Sequence, residues 1–243
     1  MSQRTSMNEA EYLKRYNPKD FDIPLVGVDT VLFTYHEEAL KVLLVQRDNH
    51  PDKGKWALPG GFVDLEQDAN LEETALRKIR EKTGVEPAYI EQLATFGSKF
   101  RDKRGWSVSV CFTALVAYQN CETHVASVSE ADWIAMNTVQ ELDFAFDHRN
   151  IIEAARERLK QKALYSIVPV YTLPEKFTLP ELQHIHEVLV GKPLQKKSFR
   201  RRIEQAGLLE ETGEMRREAG RPAMLYKVKP GTDSFRFIRN LEE

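Results

Sequence analysis

Cysteine is scarce: the 243-residue chain has two, Cys111 and Cys121. They form no CxxC pair, so the spacing excludes the commonest zinc and redox motifs and leaves two packed thiols as the expectation. Long hydrophobic runs are also missing. Nothing approaches the ~18 consecutive apolar residues of a membrane-spanning helix, and residues 1–16 are polar, without the apolar segment of a signal peptide. These absences predict a cytoplasmic protein with no membrane partner. There is no internal repeat and no low-complexity tract. What is present is 42% apolar and 30% charged residues, enough for two modest cores.

The overall charge of −2 hides an asymmetry. Residues 191–243 hold 13 Lys+Arg against 8 Asp+Glu, or +5, which leaves 22 against 29, or −7, for the rest. A basic tail on an acidic body points to a polyanion partner, although a solvated charged face gives the same count.

Short apolar, β-branched runs at 25–33 and 40–46, separated by His36-Glu37-Glu38, predict a hairpin. Asn70 caps a predicted helix with Glu73 at its third position and Leu71, Ala75 and Ile79 on one side, ended by Gly84. Strands at 90–96 and 107–117 and a helix at 148–159 complete a mixed α/β domain over residues 1–161. Residues 162–176, with Pro169 and Pro174, are expected to be a connector carrying a short strand at 165–170. A second domain, 177–243, opens with the capping-box pair Thr178 and Glu181 and a helix ended by Gly191. Phe199, Ile203 and Ala206 line the next helix, and strands at 208–210 and 223–228 flank a charged loop. Helix, turn, helix, hairpin is the winged-helix order.

The segment Leu58-Pro59-Gly60-Gly61-Phe62-Val63, followed by the helix from Leu71 to Val85, resembles a Nudix box, whose signature is Gx5Ex7REUxEExGU with U a bulky aliphatic. Nudix hydrolases cleave nucleoside diphosphates linked to another group, with helix glutamates holding magnesium. That chemistry needs several carboxylates on one helical face, because magnesium takes oxygen ligands. Aligned from its C-terminal end, this box keeps Arg77, Ile79, Glu81, Gly84 and Val85. Lys78 and Lys82 stand where two of the glutamates belong, moving the local charge by +4. The loop differs too: Gly61 to Arg77 is 16 steps, where Gx5Ex7R spans 14, so neither Glu66 nor Gln67 takes the place of its glutamate. The favoured expectation is a diphosphate pocket in which Arg77, Lys78 and Lys82, beside Glu81, replace the metal and no reaction follows. Two alternatives stand beside it. The lysines are solvated charges in a domain without a ligand, or Glu72, Glu73 and Glu81 make an unusual metal site and the chain is an active hydrolase of ADP-ribose or a related nucleoside diphosphate.

Further candidates for that pocket are Arg47 at a strand end, Trp56 as a stacking ring, Gly60 and Gly61 for close backbone approach, and Arg101 and Arg104 beside a turn. Asp147 and His148 precede a helix, where the Asp147 carboxylate is expected as an N-cap ahead of a ligand contact.

In the second domain, helical spacing puts Lys197 and Arg201 opposite Phe199, Ile203 and Ala206. Ser198 and Gln205 share the outer face, with Lys196, Arg200 and Arg202 beside it, a mixture suited to base edges and phosphates. Arg216, Arg217 and Arg221 in the following loop suit a wing tip on the DNA backbone. The rival is an RNA-binding tail, which the lack of an aromatic stacking platform there disfavours.

A degenerate Nudix domain followed by a winged helix resembles the NrtR family, Nudix-related transcriptional regulators of NAD metabolism, and the altered box is similar to its non-hydrolytic members. Besides the box, Ala145-Phe146-Asp147-His148, Ser198-Phe199-Arg200-Arg201-Arg202, Gly220-Arg221-Pro222-Ala223 and Leu225-Tyr226 carry the resemblance. It implies a homodimeric bacterial repressor of NAD biosynthesis or salvage genes. It also implies a palindromic double-stranded operator and ADP-ribose as effector, while the altered box predicts neither magnesium nor another cofactor.

Overall fold

A computed structural model describes residues 8–120, 131–217, 222–237 and 241. Among the described residues, ten strands lie in two sheets: β1 (Leu25–His36), β2 (Ala39–Gln46), β3 (Trp56–Ala57), β4 (Gly60–Phe62), β5 (Tyr89–Ser98), β6 (Ser107–Leu115) and β7 (Ala131–Ala135) in the first, and β8 (Phe177–Thr178), β9 (Leu209–Arg216) and β10 (Ala223–Val228) in the second. The α-helices among the described residues are α1 (Glu9–Arg15), α2 (Leu71–Thr83), α3 (His148–Tyr165), α4 (Leu179–Val190) and α5 (Lys196–Ala206).

The large sheet runs β3-β2-β1-β6-β5, with β4 added to β1 and β7 to β2. β1 is central. It pairs parallel with β6 from Leu25↔Ser107 to Phe33↔Leu115, antiparallel with β2 at its end, and antiparallel with β4 at its start. Glu37 and Glu38, both at positive φ, form the tight turn that the polar triplet predicted, and Lys41 holds Glu37 at 2.6 Å. Helix α2 covers one face, where Ala75 meets Val28, Val110 and Phe112, and Ile79 meets Leu32, Leu43 and Ala114. Asn70 and the left-handed Gly84 close its two ends as the sequence predicts.

Helix α3 covers the other face, and here the structure departs from expectation. It runs to Tyr165, past the expected domain boundary at 161. The expected strand at 165–170 is a loop leading into a 3-10 helix, Val168–Thr172. Nor is 162–176 a loose connector: Ala163, Ile167, Val168, Val170 and Leu173 are buried in one core with Phe33 and Val42 of the sheet and Leu182, Ile185, Phe199 and Ile203 of the second domain. Apolar side chains on both sides of Pro169 need cover on two faces, and the cleft between the domains supplies it. Lys162 is buried in the same seam, donating to Tyr89 Oη at 3.0 Å and pairing with Glu91 at 2.7 Å.

The second unit has strand, helix, helix, hairpin order, with β10 between β8 and β9. Thr178 and Glu181 form the predicted capping box of α4, and the left-handed Gly191 and Gly207 end α4 and α5. β9 reaches Arg216, so the first half of the segment expected as a charged loop is strand, held in part by Thr212 Oγ1 donating to Leu225 O.

Candidate functional site

Where β1, β4, β6 and the start of α3 converge, a cavity of ≈150 Å³ opens between the large sheet and two loops. β4 comes so close to β1 that a Cβ on Gly60 would lie 2.2 Å from Asp29 Oδ1 and 2.5 Å from Val28 O, so only glycine fits there. Of the residues expected to make a pocket, Arg47, Gly60, Gly61, Arg101, Arg104 and His148 line this one.

Its floor is a charge network. Arg101 donates to both oxygens of Asp147, at 3.0 and 2.7 Å, and lies 4.0 Å from Asp29. Asp147 stands at the N-cap position but makes no capping hydrogen bond, because its carboxylate is turned to Arg101. The Leu58 N–H donates to His148 Nδ1 at 2.9 Å, which leaves the ring hydrogen on Nε2, 3.6 Å from Asp29 Oδ2. Ser109 Oγ donates to the same oxygen at 2.6 Å. Burial pushes the Asp29 carboxyl up, but His148, Ser109 and Arg101 together outweigh it and hold the group below the usual carboxylate range. Burial pulls the Arg101 guanidinium down, and Asp147 outweighs that pull, so it stays charged.

The walls combine cations with rings. The Arg47 guanidinium lies 4.7 Å from the centre of Phe146 and donates to Pro51 O at 2.8 Å, while Arg104 lies 5.2 Å from Phe62 and is held by Asp102 at 2.7 Å. Phe146 adopts φ 55°, a left-handed conformation uncommon for an aromatic residue, which places its ring against Arg47. Trp56 is elsewhere. On β3 at the edge of β2 it packs against the main core, so the rings at the pocket are Phe62 and Phe146.

The box helix contributes differently from expectation. Arg77 donates to Asp68 through Nε at 2.6 Å and also through its terminal nitrogen, with Glu81 at 2.8 Å on its other side. Hydrogen bonds from Arg77, Asp64 N and Thr74 hold the Asp68 carboxyl far below its usual range. Lys78 pairs with Glu81 at 2.8 Å and runs its stem along Gly61, where an added Cβ would meet Cε at 3.0 Å. Lys82 is exposed and away from the pocket. The residues present do not fit magnesium: Glu81 already accepts from two cations, Glu73 is turned back onto Asn70 and Ala69, and among the described residues no three acidic, histidine or cysteine side chains converge.

On α5, Phe199 and Ile203 are buried while Lys196, Lys197, Arg201 and Gln205 are exposed. Arg200 and Arg202 are half-buried at the flanks, as is Ser198, whose N–H donates to the helix-capping Gln195. Arg216 pairs with Ala223 at the loop end of the β9–β10 hairpin. It ends β9, where its guanidinium grips Glu181 and donates to Lys176 O. Arg217 is exposed; Arg221 lies outside the described residues. Cys111 is a packed thiol, pushed up to about 12 mainly by burial, and Cys121 also lies outside the described residues.

Residues 24–155 match the NUDIX domain model and residues 169–228 match the NrtR DNA-binding winged helix domain model. The chain belongs to the NrtR family. Over 243 residues, all of this chain and 97% of the other, it is 42% identical to a protein of Acinetobacter baylyi named ADPR responsive transcriptional repressor NtrR. A crystal structure of Shewanella oneidensis NrtR in complex with a 27mer DNA superposes with a TM-score of 0.87 at 62% identity, covering 89% of this chain and 99% of that one. The NUDIX domain of the same Shewanella protein, crystallised with ADP ribose, is 58% identical, with a TM-score of 0.59 over 63% of this chain and 99% of that one.

Against this family frame, sequence reasoning missed Asp29, Phe62, Asp68 and Asp102. Asp68 carried a usable signal: it lies just before the Asn70 cap, nine residues from Arg77. Asp29 carried none, because only the parallel pairing of β1 with β6 and the approach of α3 give it Ser109 and His148 as neighbours.

Proposed function

We propose that this chain is a transcriptional repressor that binds double-stranded operator DNA through α5 and the β9–β10 wing and responds to ADP-ribose held in the arginine-lined pocket. One observation carries the reading: Phe199 and Ile203 anchor α5 so that Lys197, Arg201 and Gln205 project from it, in a chain whose other unit holds a ligand-sized charged pocket. The Acinetobacter relative's name and the Shewanella complexes with DNA and with ADP ribose support it.

The cavity of ≈150 Å³ is smaller than a whole dinucleotide-like ligand needs, so a fragment enters beneath Arg101 while the remainder lies at the mouth, on Phe62 and Phe146. No hydrolysis and no cofactor are proposed, because the box helix pairs its glutamate with Arg77 and Lys78 instead of presenting it to a metal. The operator is a palindrome read by a homodimer in the cytoplasm, controlling NAD biosynthesis or salvage genes.

Helix α3 offers the route between the sites. It begins at His148, which lines the pocket, with Asp147 just before it held by Arg101, and spans 18 residues, about 27 Å at 1.5 Å per residue. Just past its end, Ser166 O meets His186 Nε2 of α4 at 3.1 Å. A ligand that draws Arg101 away from Asp147 shifts the head of this rod and, with it, the winged helix.

Mobility shifts on the chain's own upstream region and on NAD-gene promoters, with and without ADP-ribose, test the reading. A palindromic duplex should be retained in preference to single-stranded RNA, and ADP-ribose should change its affinity. By linkage the duplex should change ADP-ribose affinity by the same factor. Equal ADP-ribose affinity with and without duplex, or release of AMP from ADP-ribose in magnesium, would overturn it.

A further inference from the structure

His186 sits where the two units meet, and its ring faces two acceptors. It lies on α4, fully buried, with Nδ1 2.8 Å from Leu182 O one turn back in the same helix and Nε2 3.1 Å from Ser166 O at the end of α3. The ring also meets that of Phe199 at 5.3 Å and 64°, and Phe199 is one of the buried side chains that anchor α5. One imidazole thus touches both the end of the rod that starts at the arginine pocket and the anchor of the helix that carries Lys197 and Arg201.

A neutral imidazole has one N–H and one lone pair. Both partners here are carbonyl oxygens, which only accept, so a single proton cannot serve them together. An imidazolium would serve both, but burial outweighs the pull of the two carbonyls and holds the ring below its ordinary 6.5. The charged groups of the surrounding elements supply no part of that shift: Lys162 on α3 is held by Glu91, Glu187 on α4 accepts from Gln183 and Leu194 N, and Arg200 and Arg202 lie on α5. At pH 7 one nitrogen therefore points a lone pair at an oxygen, and two preferences oppose each other over which. The shorter contact favours the proton on Nδ1. Against it, the helix ladder already offers Leu182 O the His186 backbone N–H, whereas the Ser166 carbonyl is buried at a helix end and is costly to leave unpaired.

We propose that His186 is a two-position switch between the ligand pocket and the DNA-reading helix: a proton on Nε2 ties α4 to the end of α3, a proton on Nδ1 releases that tie, and the bound ligand sets the balance. The contact within α4 moves with the helix and keeps its length, while the contact to Ser166 lengthens or shortens as α3 shifts, so only one of the two positions senses the pocket. The positions differ by about one hydrogen bond, a gap that differential binding at the head of α3 can overturn. The switch rests on the sensor reading above and names the element that carries its coupling.

The test is long-range 1H–15N NMR of the full chain with 15N-labelled histidine at pH 7, alone, with ADP-ribose and with the operator duplex; His186 is assigned by the signals lost in His186→Gln. A neutral ring is expected, whose Nδ1 and Nε2 shifts move in opposite directions when either ligand binds. Two substitutions read the same proton. An asparagine amide reaches as far as Nδ1 and keeps only the Leu182 contact, while a glutamine amide reaches as far as Nε2 and keeps the Ser166 one. The factor by which ADP-ribose changes operator affinity should fall about fivefold in His186→Asn, the scale of one hydrogen bond. In His186→Gln it should stay within about twofold of the unaltered chain, and circular dichroism checks that both variants fold. A ring protonated on both nitrogens at pH 7, a single tautomer indifferent to both ligands, or equal coupling in the two folded variants would each overturn the switch. Operator affinity of the unaltered chain that ADP-ribose leaves unchanged is the separate result that sinks the sensor reading, and the ring shifts judge the switch without it.

Discussion

Replacing Arg101 by methionine keeps most of the side-chain volume and removes the cation that organises the arginine pocket. Arg101 is 8% exposed and holds Asp147, which is 23% exposed, through two hydrogen bonds while lying 4.0 Å from Asp29. Removing one member of a buried pair costs ~3–5 kcal/mol, because the remaining charge is left uncompensated. Asp147 is 23% exposed and reaches some water, so the loss falls below that range, and about 2–3 kcal/mol is expected. With a urea slope of ~2 kcal/mol per molar, the unfolding midpoint at pH 7 should fall by about 1 M, read by circular dichroism. ADP-ribose affinity should drop at least tenfold in calorimetry, the scale of a lost charge-assisted hydrogen bond. Arg101→Lys, which keeps the charge and loses the two-pronged geometry, should fall between the two proteins. A midpoint shift below about 0.2 M with undiminished ADP-ribose binding would refute the assignment of Arg101 as the organiser of this pocket.

Arg201→Ala should weaken operator binding by ~1–3 kcal/mol, tenfold to a hundredfold, with ADP-ribose affinity intact, whereas Arg216→Ala, which frees Glu181 at the start of α4, should lower the melting temperature more than it lowers DNA affinity. Gly60→Ala forces a Cβ into Val28 O and Asp29; a destabilisation of ~1–3 kcal/mol or more is expected by thermal unfolding, together with loss of ADP-ribose binding. Asp29 is held below its ordinary value of 3.8 in the folded chain, so its contribution to stability is full above that value and disappears as pH falls through the lower, folded one. Asp29→Asn should therefore flatten the acid limb of a stability–pH profile, and an unchanged limb would remove Asp29 from the network.

The sequence alone was enough to place a degenerate Nudix box before a winged helix, because both rest on local rules. The Asn70 and Thr178 caps, the Gly84, Gly191 and Gly207 stops, and the 3.6-residue spacing of Phe199 and Ile203 are set within a turn or two of chain. Charge reversal at Lys78 and Lys82 was legible for the same reason. What the cations pair with was not legible: Arg77 meets Asp68 and Glu81, Lys78 meets Glu81, and Arg216 meets Glu181 at the start of α4. Partners of that kind are chosen by side-chain reach in three dimensions. The pocket itself joins Asp29, Gly60, Arg101 and His148, which come from four separate stretches of chain and meet only through strand register and the docking of α3. The seam at 162–176 likewise reads as a connector one residue at a time and becomes core only when both domains close on it, since burial is a property of the surface that covers a residue.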